Sequence, residues 1–364
     1  MPIALIARPY VELGEHSVSM DDVTEDIARR YADLPRLAAY LRTARATGVR
    51  TRYFTRPLHS ETVAGDATFE DRNRAAYDDA LEMAVRAVPG ALENAGLALE
   101  DIDCVITSHA TSWTAPSLDT DLIRTLAPQG LRPDIARIPL SSYACAGGAQ
   151  ALTLAYEHVA AHPGAHVLVV VAECLSAATY NPVDTSRESM IYKVLFGDSA
   201  VACVVSGQER DGQGPRFRID DTWQYVLPDT RTVFEGRLDS YGLHFDSTRD
   251  ATRTIGTVAP ALREWLDGEG TEFAPDFCVV HAGGPAILNH AQTALRVDNG
   301  PNAEARTGPL RHSWDSLELC GNLGGASVLD VLRRSFDEPA PGDQGVLLGY
   351  GPGISVAACK LTRT

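Results

Sequence analysis

Three polar residues in this chain stand beside glycines in settings where chemistry is possible. They are Cys145 in Tyr143-Ala-Cys-Ala-Gly-Gly148, His281 in Val280-His-Ala-Gly-Gly284, and Asn322 in Cys320-Gly-Asn-Leu-Gly-Gly325. A cysteine nucleophile, an imidazole that holds it as thiolate or donates to an oxyanion, and a neutral amide donor are together what acyl transfer through a thioester requires. Taken singly, each has an ordinary structural explanation. Free cysteine is among the most buried residue types, a histidine after a strand is commonly structural, and Gly-Asn is commonly a turn. Cys145 is set apart because an apolar run ends there and a helical pattern follows, in Leu152, Ala155, Tyr156 and Val159. Glycines at such a turn permit positive φ and close backbone approach, and a helix N-terminus favours thiolate over thiol.

The elements that would position these residues alternate between strand and helix, which points to an α/β class. Residues 19–47 read as one helix capped by Ser19, and 69–97 as a long helix broken at Pro89-Gly90. Strands are expected at 103–107, at 166–172, at 199–206 and at 216–226, and a helix at about 254–267. Phe277 to Val280 reads as a strand leading into His281, and residues 345–361 as a hairpin of two buried strands. Continuous apolar runs such as His166-Val-Leu-Val-Val-Val-Ala172 suit strands covered on both faces. The polar, glycine-rich stretch Gly207 to Gly214 separates two halves, 1–207 and 215–364. The halves rhyme: each holds a strand, a glycine-paired loop (Cys145-Ala-Gly-Gly; Asn322-Leu-Gly-Gly) and a helix.

The chain has 364 residues, of which 45% are hydrophobic and 22% charged, the make-up of a soluble globular protein. No run approaches the ~20 apolar residues of a membrane span, and the N-terminus lacks the basic region of a signal peptide. A cytoplasmic protein is expected. Seven cysteines without a CxxC argue against disulfides and structural zinc. A net charge of −16 argues against general nucleic-acid or anionic-membrane binding. Against that acidity, six arginines and no acid lie between Arg36 and Ser60. Such a run is commonly a solvated face, and here it is also the best candidate for holding an anionic ligand.

On these motifs the sequence resembles the type III polyketide synthases, the chalcone synthase-like branch of the thiolase-fold condensing enzymes. Val280 to Leu288 resembles that family's catalytic-histidine segment and Gly321-Asn-Leu323 its catalytic-asparagine turn. Leu195-Phe-Gly-Asp198 is similar to its gatekeeper segment, Glu235 to Phe245 to the segment with a pocket glycine and a second gatekeeper, and Gly349-Tyr-Gly-Pro-Gly353 to its C-terminal loop. The resemblance implies a duplicated αβαβα five-layered core, a homodimer, and catalysis by Cys145, His281 and Asn322. Malonyl-CoA and an acyl-CoA starter would be the substrates, with no cofactor or metal. The acyl starter would load onto Cys145, and His281 and Asn322 would stabilise the enolate left when malonyl-CoA loses CO2. Phe196 and Phe245 would be gatekeepers, and Gly236, Ala178, Thr111, Ala115 and Gly324 pocket residues. Arg42 and Arg45 would hold the phosphates of CoA.

The chain departs from the family in places. One residue, Ala146, separates Cys145 from the glycine pair where the family has two, a turn like that of β-ketoacyl-ACP synthase III. Ala115 stands where the family has a methionine that reaches into the partner subunit. Ala110, Ala178, Gly236 and Gly324 are all small, which implies an enlarged pocket unless Trp113 and Tyr180 refill it. Two other readings stay open: a single-step condensing or acyl-transfer enzyme, suggested by the short turn, and a thiolase-fold partner subunit without activity.

Overall fold

The computed structural model describes residues 3–179, 183–208, 214–248, 251–268, 270, 272–298 and 308–364. Tyr180, the middle of the Gly207 to Gly214 stretch and most of Asp298 to Pro309 lie outside them. Strands of both halves join one long sheet. From one edge the order is Phe277–Val280, Gln344–Gly351, Ser355–Arg363, Phe217–Val226, Leu5–Ile6, Ser199–Ser206, His166–Glu173, Cys104–His109 and Ala136–Ser141. The halves repeat one pattern. Phe277–Val280 runs parallel to Gln344–Gly351, which turns back antiparallel into Ser355–Arg363. Cys104–His109 likewise runs parallel to His166–Glu173, which pairs antiparallel with Ser199–Ser206. All eight residues of His166–Glu173 and of Ser199–Ser206 are buried, as continuous apolar runs between two helical layers should be.

Helices complete the five layers of a thiolase fold. Phe69–Ala95 covers the outer face of the N-terminal strands, and Thr254–Asp267 with Pro285–Leu295 covers that of the C-terminal strands. Gly147–Ala161 packs on strands of both halves and is joined in the central layer by Ser327–Arg334. The two central helices meet through glycine. A Cβ on Gly148 would fall within contact distance of the Gly325 carbonyl oxygen, and one on Gly325 would lie 2.7 Å from the Ala144 carbonyl oxygen. The paired glycines of the two halves are therefore a close backbone approach.

Two expected elements differ. The helix read across residues 19–47 is two helices, Met20–Arg30 and Leu37–Arg45. Pro35 disfavours helical backbone at Leu34, and Arg36 takes a left-handed φ of 69°. The Ser19 cap is present as a reciprocal box, with Asp22 N–H donating to Ser19 Oγ at 3.1 Å and Ser19 N–H to Asp22 Oδ2 at 2.8 Å. The long helix runs unbroken from Phe69 to Ala95 with Pro89 inside it. Burial of Ala80, Met83, Ala84, Ala87, Val88, Ala91 and Leu92 outweighs the lost hydrogen bond. Gly90 is there for packing, because a Cβ at that position would enter the Tyr10 ring.

Two glycine substitutions separate packing from backbone freedom. Gly148→Ala drives a methyl group into the Gly325 carbonyl and is expected to lower stability by about 3 kcal/mol. Gly256→Ala, in a helix with nothing within 4 Å of the new methyl, should raise it by about 0.5–1 kcal/mol. Urea denaturation of the two variants beside the parent chain checks both signs.

Candidate active site

Cys145 sits in the single 3-10 turn Ala144–Ala146 that leads directly into the helix Gly147–Ala161. The left-handed backbone needed to turn the chain there falls on Ser142 (φ 66°) and Ala144 (φ 44°), and the glycine pair has ordinary helical angles. Gly147 and Gly148 are needed for space: side chains there would strike Ser108 and Gly325. Gly349 and Gly351 of the C-terminal loop have the same role, pressing against Ala149, Ala146 and the Tyr143 carbonyl. The Cys145 thiol is 7% exposed, and burial, with Glu173 adding to it, pushes its pKa up to about 12. The Asn322 side chain and the local backbone bond to the sulfur and pull the other way. The helix start was expected to favour thiolate; burial instead favours the thiol.

His281 follows the strand Phe277–Val280, its N–H donating to the Leu348 carbonyl at 2.9 Å and its carbonyl accepting from Gly283 N–H at 2.8 Å. A Cβ on Gly283 would stand 2.9 Å from the ring's Nε2 and Cδ2, so glycine is what lets the imidazole lie there. The ring is buried, its Nδ1 meets no protein partner, and burial draws its pKa from 6.5 down to about 4.

Asn322 is fixed from both sides. Its N–H donates to Leu195 at 2.8 Å, and its carbonyl accepts from Gly197 N–H at 3.1 Å, which pairs it with Phe196 as a short parallel bridge. Its Oδ1 accepts from Gly324 N–H at 2.8 Å and from Ser327 Oγ at 3.4 Å. The amide oxygen is thereby occupied, and the Nδ2 donors are left for the cavity and the Cys145 sulfur. Cys145, His281 and Asn322 line one cavity of about 630 Å3, walled by Phe196, Tyr192, Ile191, Ile287, Phe234 and Tyr350 among others.

An aromatic cluster closes one side. Tyr192 stacks on Phe196 at 5.1 Å, and Phe245 meets Phe196 edge-on at 5.8 Å and Phe234 at 6.0 Å. Of the expected pocket residues, Phe196 lines this cavity, and Phe245 packs against its ring. Gly236 faces Phe245 across the hairpin, where a Cβ would stand 3.3 Å from its ring. Gly324 has a left-handed φ of 60°, and a Cβ there would lie 3.3 Å from Glu173 Cγ. Ala178 is buried, and Thr111 accepts from Cys174 N–H at 2.9 Å. Ala115 is exposed, as is Trp113 at 59%, which is tied to Asn73 and refills no space near Cys145. The cavity exceeds the roughly 300 Å3 at the low end for ligand pockets.

Sequence reasoning passed over Glu173. It ends the buried strand His166–Glu173, and a carboxylate closing so apolar a run was the signal available. Its Oε2 accepts from Ala110 N–H at 3.1 Å, its Oε1 has no partner, and burial raises its pKa to about 8. Burial thus favours its protonated form.

The basic segment divides by role. Arg45 is paired with Asp21 at 2.6 Å, Arg50 with Glu318 at 3.0 Å and Arg56 with Asp79 at 2.8 Å. Arg52 is buried and donates to the Ser19 carbonyl at 2.8 Å. Arg42 is exposed, one residue from Thr43 on the cavity rim. Among the described residues no group of three or more His, Cys, Asp or Glu could hold a metal ion, and no helix is long and apolar enough to cross a membrane.

Comparison with known proteins agrees with this geometry. Residues 29–209 match the model of the N-terminal domain of chalcone and stilbene synthases, and residues 218–363 that of the C-terminal domain. The chain belongs to this family of type III polyketide synthases. It is 35% identical to the 1,3,6,8-tetrahydroxynaphthalene synthase of Streptomyces coelicolor over 97% of this chain and 90% of that one. The crystal structure of that enzyme superposes with a TM-score of 0.89 over 98% of this chain and 99% of the other. Germicidin synthase from the same organism, 31% identical, also reaches 0.89 and covers 100% of both chains. The phloroglucinol synthase of Pseudomonas fluorescens is 30% identical over 97% of each chain. Members of this family carry out decarboxylative Claisen condensations, and this chain is such a transferase.

The burial of neutral His281 has a sign that can be tested. The unfolded ring takes up a proton near pH 6.5 and the folded one only near pH 4, so acid favours the unfolded chain. The contribution is complete above pH 6.5 and lost as pH falls through 4, on the order of 3 kcal/mol in all. Urea midpoints of wild type should fall over that window, and His281→Gln should flatten the fall.

Proposed function

We propose that the cavity loads an acyl group from a CoA thioester onto Cys145 and extends it with malonyl-CoA to a small aromatic or pyrone product. The observation that carries this reading is the meeting of Cys145, His281 and an Asn322 amide with its oxygen already occupied in one buried cavity. Loading begins with Cys145 Sγ attacking the thioester carbonyl while its proton passes to His281, and CoA leaves as the thiol. The malonyl thioester oxygen then lies between His281 and the Asn322 Nδ2 donors. Loss of CO2 leaves its electron pair in the enolate, whose negative oxygen these donors hold. The enolate carbon attacks the acyl carbonyl on Cys145, the carbon–sulfur bond breaks, and the extended chain is returned to Sγ or released by cyclisation. No separate base, metal or redox group is required.

Phe196 and Phe245 act as the gate that keeps water from the thioester. Arg42 holds CoA phosphate at the rim, and Arg45 joins it by exchanging the exposed contact with Asp21. The sheet ends on Ala136–Ser141, a largely exposed edge strand, and an open edge of this kind suits pairing with a second copy as a homodimer. Seven free cysteines fit the cytoplasm.

Malonyl-CoA, alone and with a panel of acyl-CoA starters, should give a polyketide mass that disappears with Cys145→Ala. Counting extender units in that mass separates repeated extension from a single condensation. His281→Gln and Asn322→Ala should each lower kcat/KM by about 10²–10³-fold. Acylated Cys145 with no extended product in wild type would leave only an acyltransferase.

A further inference from the structure

The gate rests on a hairpin outside the main sheet. Its strands, Phe234–Asp239 and Gly242–Ser247, form a two-stranded sheet of their own, so side-chain contacts must set where Phe245 stands. His244, next to Phe245, is 6% exposed, and both its ring nitrogens face carboxylates. Nδ1 lies 2.8 Å from Asp184 Oδ2 and Nε2 lies 2.9 Å from Asp239 Oδ2. A carboxylate only accepts, so the ring is the donor in any hydrogen bond it makes to either of them.

Each carboxylate is anchored in turn. Asp184 Oδ1 accepts from Ser186 N–H at 2.9 Å, and its backbone carbonyl accepts from Lys193 Nζ at 2.9 Å. Both bonds fix it at the head of the helix Arg187–Leu195, which carries Tyr192 and leads into Phe196. Tyr192 also reaches the hairpin, its hydroxyl 3.0 Å from Ser247 Oγ. Asp239 Oδ1 accepts from Tyr241 N–H at 2.8 Å and Gly242 N–H at 3.2 Å, which closes the hairpin turn. Arg72, from the long outer helix, donates to the Tyr241 carbonyl.

We propose that His244 is a positioning residue for the gate, a clasp that fixes Phe245 against Phe196 by tying the hairpin turn to the head of the gate helix. It touches no substrate. Its effect is on water: with the clasp intact, the rings cover the Cys145 thioester. With it loosened, water adds to the acyl carbonyl, the carbon–sulfur bond breaks, the water's proton goes to Sγ, and a free acid leaves before cyclisation. The inference rests on the synthase reading above.

The test incubates the full chain with malonyl-CoA and acyl-CoA starters and measures the ratio of released free acids to cyclised product by mass spectrometry. Thermal melting of each variant reports folding. His244→Ala is expected to raise the ratio about fivefold, as is Phe245→Ala, which removes the gate itself. Asp184→Asn should raise it by less, and the double variant with His244→Ala no further than His244→Ala alone, because the two act as one unit. His244→Gln, which keeps a donor toward one carboxylate, should restore part of the wild-type ratio; a purely structural role would lower all products together. An unchanged ratio in both His244→Ala and Asp184→Asn, with Phe245→Ala raised, overturns the clasp. If His244→Ala does not fold, Asp184→Asn alone decides in the same way. An unchanged ratio in Phe245→Ala removes the gate and the clasp with it. Wild type that makes no polyketide from any starter instead defeats the synthase reading, a result distinct from the others.

Discussion

The Gly325 carbonyl lies where a side chain on Gly148 would be, and the catalytic group depends on that approach. Cys145 comes from one half of the chain and Asn322 from the other. Each precedes a glycine pair that opens a central-layer helix. Only when those helix starts meet backbone to backbone can the Asn322 amide reach the Cys145 sulfur. The left-handed backbone is carried nearby, at the exposed Ser142 and at the buried Ala144.

Exclusion of water decides the chemistry of the group so assembled. Burial favours the neutral forms of Cys145 and His281 in the resting cavity, and of Glu173 near Cys145. Charge arises there with the substrate, and neutral donors in a dry pocket hold a new oxyanion more strongly than they would in water. Thiolate at Cys145 then depends on transfer of its proton to a neighbour, since the helix terminus alone does not offset burial. The aromatic cluster belongs to the same economy. Phe196 shares a backbone bridge with Asn322, so that ring and the amide donor are fixed by the same hydrogen bonds.

Much of this was legible in the residues. The continuous apolar runs 166–172 and 199–206 announced strands covered on both faces, and the flanking glycines singled out Cys145, His281 and Asn322 among many candidates. Where the reading failed, distant packing had overruled a local signal. Pro89-Gly90 signals a break, and the helix continues because its buried alanine face and the Tyr10 ring hold it. Of the two roles offered by the glycines after Cys145, positive φ and close approach, they serve the second. Cavity-wall residues such as Ile191 and Ile287 were the least legible, because they are ordinary apolar residues of helices with no local mark. The clasp at His244 joins residues 60 positions apart in sequence, and no local pattern announces such a contact.

The proposed roles divide: Cys145 carries the chain, while His281 and Asn322 hold the enolate. Release of CO2 from malonyl-CoA in the absence of a starter tests this division most directly. Cys145→Ala is expected still to convert malonyl-CoA to acetyl-CoA, and adding His281→Gln or Asn322→Ala to that variant should slow the conversion by about 10²–10³-fold. Decarboxylation that vanishes with Cys145 alone, or keeps its rate on the loss of both His281 and Asn322, would contradict it.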